Sequence, residues 1–222
     1  MKKIAVIYTQ FPEKFGVPRQ SGLVEQATGK IVFEPEYRAK EAVRGLEEFS
    51  HLWLIWGFSK NKYGEFSPTV RPPRLGGNVR KGVFATRSPF RPNGLGLSSL
   101  KIEKIDLECD NAPVIYVQGV DMLDGTPIYD IKPYVSADCR TDAVCGFESA
   151  VEFKGLNVKI ESDAARKLDA KTLAAIKSII ANDPRPAYQN DKDRVYGMRF
   201  DKYEVKFKVD GDTASVTQIE MV

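Results

Sequence analysis

Histidine and cysteine are scarce in this 222-residue chain, and their scarcity removes whole classes of chemistry. His51 is the only histidine, so a His-ligated metal site, a Ser-His-Asp triad or a Cys-His dyad would have to use it. It stands between Ser50 and an apolar run, where a structural role is expected. Cys109, Cys139 and Cys145 are odd in number and lack Cys-x-x-Cys spacing. That argues against a disulfide framework and a zinc knuckle, and no metal is expected. Long hydrophobic runs are also missing: Leu52-Trp-Leu-Ile-Trp56 is far too short to span a bilayer. The opening Met1-Lys-Lys-Ile-Ala-Val-Ile lacks the apolar stretch and cleavage site of a signal peptide, so a cytoplasmic protein with no membrane partner is expected. Neither Gly-x-Gly-x-x-Gly nor a Walker loop occurs, so the two commonest nucleotide-binding loops are absent.

A local absence is more telling. No Asp or Glu occurs between Glu65 and Glu103, while Arg71, Arg74, Arg80, Lys81, Arg87, Arg91 and Lys101 all fall inside. The formal net charge of the chain is only +3, so this positive charge is concentrated. Pro and Gly interleave with the arginines, which rules out an ordinary amphipathic helix over much of the segment. A rigid, acid-free, Arg-rich loop suits the grip of a polyanion or carboxylate. A solvated basic loop is the plainer reading of such a run.

The remaining composition, 42% hydrophobic and 28% charged, is that of a globular protein able to bury a core. Short β-branched or aromatic runs predict strands at 3–9, 30–33, 51–58, 82–86, 98–107, 113–122 and 127–134. Ala39, Ala42, Val43 and Leu46 at helical spacing predict one helix over 37–49. Strands so dominant suggest a small barrel rather than a βαβ sheet. Residues 1–136 are thus read as a mainly β domain and residues 137–150, within a polar stretch without periodicity, as a linker. Residues 151–222 are read as a small α+β domain. Its predicted elements are a strand at 151–160, a helix at 163–182 stopped by Pro184 and Pro186, and a hairpin. In the hairpin Tyr203, Val205, Phe207 and Val209 alternate with charged residues before the turn pair Asp210-Gly211.

Four polar clusters place charge among Pro and Gly: Lys14-Phe-Gly-Val-Pro-Arg-Gln-Ser-Gly22, the basic segment, Leu123-Asp-Gly-Thr-Pro-Ile-Tyr-Asp-Ile-Lys-Pro133, and Asp183-Pro-Arg-Pro-Ala-Tyr188. Asp-Gly-Thr-Pro alone has an ordinary explanation as a β-turn. Together with Gly45-Leu-Glu-Glu-Phe-Ser-His-Leu-Trp-Leu54, Arg71-Pro-Pro-Arg-Leu-Gly-Gly77 and Gly82-Val-Phe-Ala-Thr-Arg-Ser-Pro-Phe-Arg-Pro-Asn93, the order of clusters closely resembles the TrmO family, also called TsaA-like. The resemblance covers nearly the whole chain. It implies a small β-barrel methyltransferase outside the Rossmann-like majority, a homodimer that uses S-adenosylmethionine. The reaction it implies is methylation of N6 of threonylcarbamoyl-adenosine at position 37 of a tRNA, a threonine tRNA being expected.

By the same resemblance Pro18, Arg19, Gln20, Ser59, Lys60, Arg87, Leu97, Asp124, Gly125, Thr126 and Pro127 would bind the cofactor. Ser59-Lys60 departs from a His-containing pair found in many relatives, and Gly94 replaces a common Pro. Arg19 or Arg87 can pair with the cofactor carboxylate, and Asp124 can accept from its ribose, amino group or sulfonium edge. Arg71, Arg74, Arg91, Arg185 and Tyr188 are candidates for substrate contact, and Asp183 and Tyr188 for a catalytic role. Arg185 would meet phosphate or the threonyl carboxylate, and Tyr188 would stack or hydrogen-bond on the modified base. Asp183 reads equally as a turn residue before Pro184. A non-catalytic RNA-binding module, an enzyme acting on a phosphorylated metabolite, or a methyltransferase for another RNA or small molecule are the competing readings. DNA is not expected as a partner.

Overall fold

The structure, a computed structural model, describes residues 1–61, 65–75, 78–148, 155–161, 165–166, 168–186, 189 and 191–222. Six antiparallel strands close into a barrel in the order β1 (Ala5–Thr9), β2 (Thr28–Phe33), β7 (Val114–Gln118), β6 (Leu95–Asp106), β3 (His51–Gly57) and β8 (Thr126–Pro133). Closure removes free sheet edges, and a barrel of this size is filled by its own side chains. Alternation in the sequence sets which residues do the filling. Ala5 and Ile7 of β1, and Leu52, Leu54 and Trp56 of β3, are buried, while Val6, Tyr8, His51, Trp53 and Ile55 between them face outward or lie half-covered.

A two-stranded ribbon, β4 (Thr69–Val70) with β5 (Lys81–Gly82), lies within the basic segment. The strand predicted at 82–86 is only begun here. Val83–Ala85 turn as a short 3-10 helix that buries Val83 and exposes Phe84, with the Thr86 hydroxyl donating to the Val83 carbonyl at 2.9 Å.

The helix predicted over 37–49 does not form as an α-helix. Three 3-10 turns stand there instead, at Pro35–Tyr37, Lys40–Val43 and Leu46–Glu48. Gly45 between the last two has φ +86°, a left-handed conformation that breaks helical propagation. Only Val43 within the three turns is buried, so no continuous apolar stripe rewards a longer helix.

The C-terminal part is a four-stranded sheet in the order β10 (Tyr196–Phe200), β11 (Tyr203–Asp210), β12 (Thr213–Met221), β9 (Asn157–Ile160). β9 joins β12 in parallel and the other pairs are antiparallel. Helix α1 (Ala170–Ala181) buries Ala175, Ile176, Ile179 and Ile180. Of the helix predicted over 163–182, residues 163, 164 and 167 lie outside the described residues, and α1 accounts for 170–181. Asp169 accepts from the Thr172 amide at 2.9 Å and from its hydroxyl at 2.6 Å, an N-cap that fixes the first turn. Residues 151–154 of the predicted strand lie outside the described residues. No helix among the described residues is long and apolar enough to cross a membrane.

The segment that follows β1 ties barrel to sheet. Phe11 packs edge-on against Phe200 with centroids 5.5 Å apart, and Phe15 stacks on Tyr196 and Phe207 at 6.3 Å each. Gln10 accepts from the Asp201 amide at 2.7 Å, and the Glu13 carboxylate from the Arg199 amide at 3.1 Å. One continuous buried cluster runs through both parts as a result.

Candidate active site

At the barrel mouth, β3 and β6 run side by side with Trp56 opposite Gly96. A Cβ on Gly96 would overlap the indole, so glycine there lets the ring lie across the strand. The Trp56 indole donates to the Ser98 hydroxyl at 2.9 Å, which in turn donates to an Asp121 carboxylate oxygen at 2.7 Å. Phe58 packs on Trp56 with centroids 4.4 Å apart.

These residues form the wall between two adjoining cavities. The smaller, about 200 Å³, is lined by Lys14, Ser59, Lys60, Asn61, Leu123 and Thr126 among others. The larger, about 1290 Å³, runs under the basic segment between Pro18, Arg19 and Gln20 on one side and Arg71, Arg80, Arg87 and Arg91 on the other. Val17, Trp56, Phe58, Pro89 and Asp121 line both. A drug-sized ligand needs roughly 300–1,000 Å³, so the larger cavity has room for more than a cofactor.

The cations divide sharply by what they already hold. Arg87 is exposed and donates to the Gln20 amide oxygen, which aims it into the cleft. Arg19 donates to the carbonyls of Asp183 and Arg185 at 2.9 and 2.8 Å, bolting the barrel to the segment after α1. Arg91 donates to the carbonyls of Val83 and Thr86 at 3.1 and 2.7 Å and lies over the Phe84 ring, so it braces its own loop. Arg80 donates to the Thr69 hydroxyl across the ribbon, and Arg71 stays on the exposed rim. The side chain of Arg74 lies outside the described residues.

Other sequence candidates fall in three places. Leu97 is 54% exposed and lines the larger cavity, an apolar platform at its mouth. Ser59 and Lys60 line the smaller cavity, where Lys60 reaches the Pro12 carbonyl at 3.3 Å. Of the Asp124–Pro127 group only Thr126 lines either cavity. Asp124 accepts from the Thr9 amide at 2.9 Å, Gly125 takes φ +74° and donates to Ile7, and Pro127 sits opposite Val6 where β8 pairs with β1. This turn pins two barrel strands together.

Arg185 is placed differently from the sequence reading. It is buried, and its guanidinium is bidentate with Asp183 at 2.8 and 2.9 Å while stacking over Tyr196. Neither residue lines the two cavities. Asp183, at φ +43°, turns the chain out of α1 and also accepts from the Arg185 amide, so the pair is committed to holding this corner. The ion pair raises the Arg185 pKa further above its ordinary value. Tyr188 lies outside the described residues.

The sequence reading passes over Asp121, which among the described residues is the one carboxylate shared by both cavities. Burial pushes it up to about 6, against the hydrogen bond from Ser98, backbone donors including Ser21, and the charge of Arg87. The available signal is a single acid inside the apolar run Gly119-Val-Asp-Met-Leu123.

Comparison with known proteins places this geometry. Residues 6–139 match the family model described as the tRNA-methyltransferase O N-terminal domain, and residues 151–222 that of the TrmO C-terminal domain. The tRNA (adenine(37)-N6)-methyltransferase of Escherichia coli is 37% identical over 217 residues, covering 94% of this chain and 92% of its own length. A protein of the same name from Eikenella corrodens is 44% identical over 176 residues, covering 78% and 98%. The crystal structure of TrmO from Pseudomonas aeruginosa superposes with a TM-score of 0.77 at 31% identity, covering 98% of this chain and 97% of that one. Six barrel strands, the basic segment and the appended sheet are therefore the architecture of a family, and this chain belongs to the tRNA-methyltransferase O family.

Proposed function

We propose that the protein transfers a methyl group from S-adenosylmethionine to N6 of threonylcarbamoyl-adenosine at position 37 of a tRNA, a threonine tRNA above all, as a cytoplasmic homodimer. The name shared by its relatives supports the class of reaction. The observation that carries the reading to this cleft is the larger cavity itself. It combines an apolar wall, a free-ended arginine and a half-buried carboxylate under a rim of cations.

The residues fit the cofactor's chemistry. Arg87, steadied by Gln20, can pair with its carboxylate. Pro18, Leu97, Trp56 and Phe58 offer apolar contact to adenine, and the aromatic faces suit a sulfonium cation. When bound, the cofactor supplies an electrophilic methyl group on a positively charged sulfur. The acceptor is weak, since the lone pair of a ureido nitrogen on a purine is delocalised on both sides. Alignment in a desolvated pocket is therefore the chief contribution of the protein.

The RNA side is read from the rim. Phe66 and Phe90, each more than half exposed, line the larger cavity with Arg71 and Arg80, and exposed Phe84 lies against Phe66, which suits stacking with unpaired bases beside phosphate contacts. Arg74 keeps its proposed place with them. Tyr188 remains the proposed stacking or hydrogen-bonding residue for the modified base.

Transfer of labelled methyl to two tRNA preparations, one bearing the threonylcarbamoyl group and one lacking it, tests the proposal. Label confined to the first preparation is expected. Equal labelling of both, or of neither, would overturn the substrate assignment.

A further inference from the structure

Methyl transfer to an N–H nitrogen leaves a proton to be removed, and few groups in the cleft can take one. Among the described residues lining the two cavities there is no histidine, cysteine or tyrosine. Only two carboxylates occur, Glu65 and Asp121. Glu65 is exposed on the rim, whereas Asp121 stands at the junction of both cavities. Ser98 holds one of its oxygens at 2.7 Å, and Trp56 fixes the Ser98 hydroxyl in turn, so the carboxylate is oriented by a two-link chain.

We propose that Asp121 is the general base that accepts the N6 proton during methyl transfer, an inference that rests on the function proposed above. As the N6 lone pair forms the new bond to the methyl carbon, the carbon–sulfur bond breaks with its electron pair passing to sulfur. The N6 proton passes to the Asp121 carboxylate and later to water, which restores the base. The surroundings suit this role. Arg87, from the basic segment, and the Ser21 amide, from the loop after β1, favour the ionised form, while enclosure by Trp56 and Met122 opposes it. Lys14 and Lys60 face the smaller cavity, and Arg19 faces the larger. Burial outweighs these and raises the carboxyl to about 6, so it is ionised at neutral pH yet more basic than an ordinary aspartate.

Single-turnover rates of the full-length protein with labelled S-adenosylmethionine and threonylcarbamoylated tRNA, measured across pH for wild type, Asp121→Asn and Ser98→Ala, test it. Cofactor affinity by calorimetry, the thermal unfolding midpoint and the Asp121 carboxyl titration by carbon NMR accompany each rate. Wild type should lose rate tenfold per unit below a pH that matches the directly titrated carboxyl. Asp121→Asn should lose about a hundredfold or more and also lose that acid limb, with cofactor affinity within about threefold. Ser98→Ala should move limb and carboxyl titration together to higher pH. A rate for Asp121→Asn within about tenfold of wild type would overturn the proposal, as would a loss matched by weaker cofactor binding. So would a limb in Ser98→Ala that stays put while the carboxyl titration moves. If wild type itself transfers no label, the functional reading fails and carries this one with it, an outcome distinct from failure of Asp121 alone.

Discussion

Within the acid-free segment, availability rather than charge separates Arg87 from Arg91, which braces its own loop. Arg91 donates to the carbonyls of its own loop and Arg19, outside the segment, to those of Asp183 and Arg185, while Arg80 commits only its Nε to Thr69. Charge-assisted hydrogen bonds contribute roughly 1.5–3 kcal/mol each, so Arg87→Ala is expected to weaken S-adenosylmethionine binding by about ten- to a hundredfold in calorimetry. The folded protein should unfold at an unchanged midpoint. Asp121 makes the opposite prediction for stability. Its carboxyl titrates near 3.8 when unfolded and at about 6 when folded. Between those values the folded state binds the extra proton, so stability declines as pH rises through the window. At neutral pH the half-buried charge costs up to about 3 kcal/mol. Asp121→Asn should therefore raise the unfolding midpoint at pH 7.5 and leave it nearly unchanged at pH 4, as followed by calorimetry. Arg87 was singled out in the sequence through the family resemblance, and it does line the cleft. Asp121 was not, because burial and its partners Ser98, Trp56 and Ser21 are brought together only by the barrel. Arg185 was misplaced for the same reason: bidentate pairing with Asp183 two residues away depends on the left-handed turn at Asp183.

At the scale of elements, the segment from Gln10 to Gln20 is where fold and site meet. Its first half packs on the C-terminal sheet through Phe11 and Phe15, and its second half supplies Val17, Pro18, Arg19 and Gln20 to the cleft. Gly16 is the hinge between those halves, at φ +95°, with Met198 so close that an added Cβ would lie 2.5 Å from its sulfur. Gly16→Ala combines backbone strain with overpacking, and about 1–3 kcal/mol of lost stability is expected in chemical denaturation. Period-2 alternation made most barrel strands and the β11 hairpin readable, since each has one buried face. Residues 37–49 misled because small apolar residues at helical spacing lie on the surface, where Gly45 decides the conformation. β10 went unanticipated although Tyr196, Met198 and Phe200 alternate inward. Five residues with a glycine among them give too short a pattern to separate from a loop.

For the molecule as a whole, the barrel provides a rigid mouth, the basic segment a cationic roof and the C-terminal sheet a brace beneath the Gln10–Gln20 segment. A ligand filling the larger cavity touches the mouth and the roof at once. S-adenosylmethionine at about a hundredfold excess over its Kd should stabilise the fold by about 2.7 kcal/mol, which raises the unfolding midpoint by roughly 5–10 °C for a chain of this size. Arg87→Ala should lose much of that rise. Charge distribution and motif order made a nucleic-acid methyltransferase legible in the sequence. What folding alone supplies is the pairing of cavities and the carboxylate placed between them. The most direct test of the account is nucleoside mass spectrometry of threonylcarbamoylated tRNA incubated with S-adenosylmethionine and either wild-type protein or Arg87→Ala. The account predicts a gain of one methyl group, on the modified adenosine at position 37 and nowhere else, with wild type and strongly reduced with Arg87→Ala. A methyl group at another nucleoside, or undiminished product with Arg87→Ala, would contradict it.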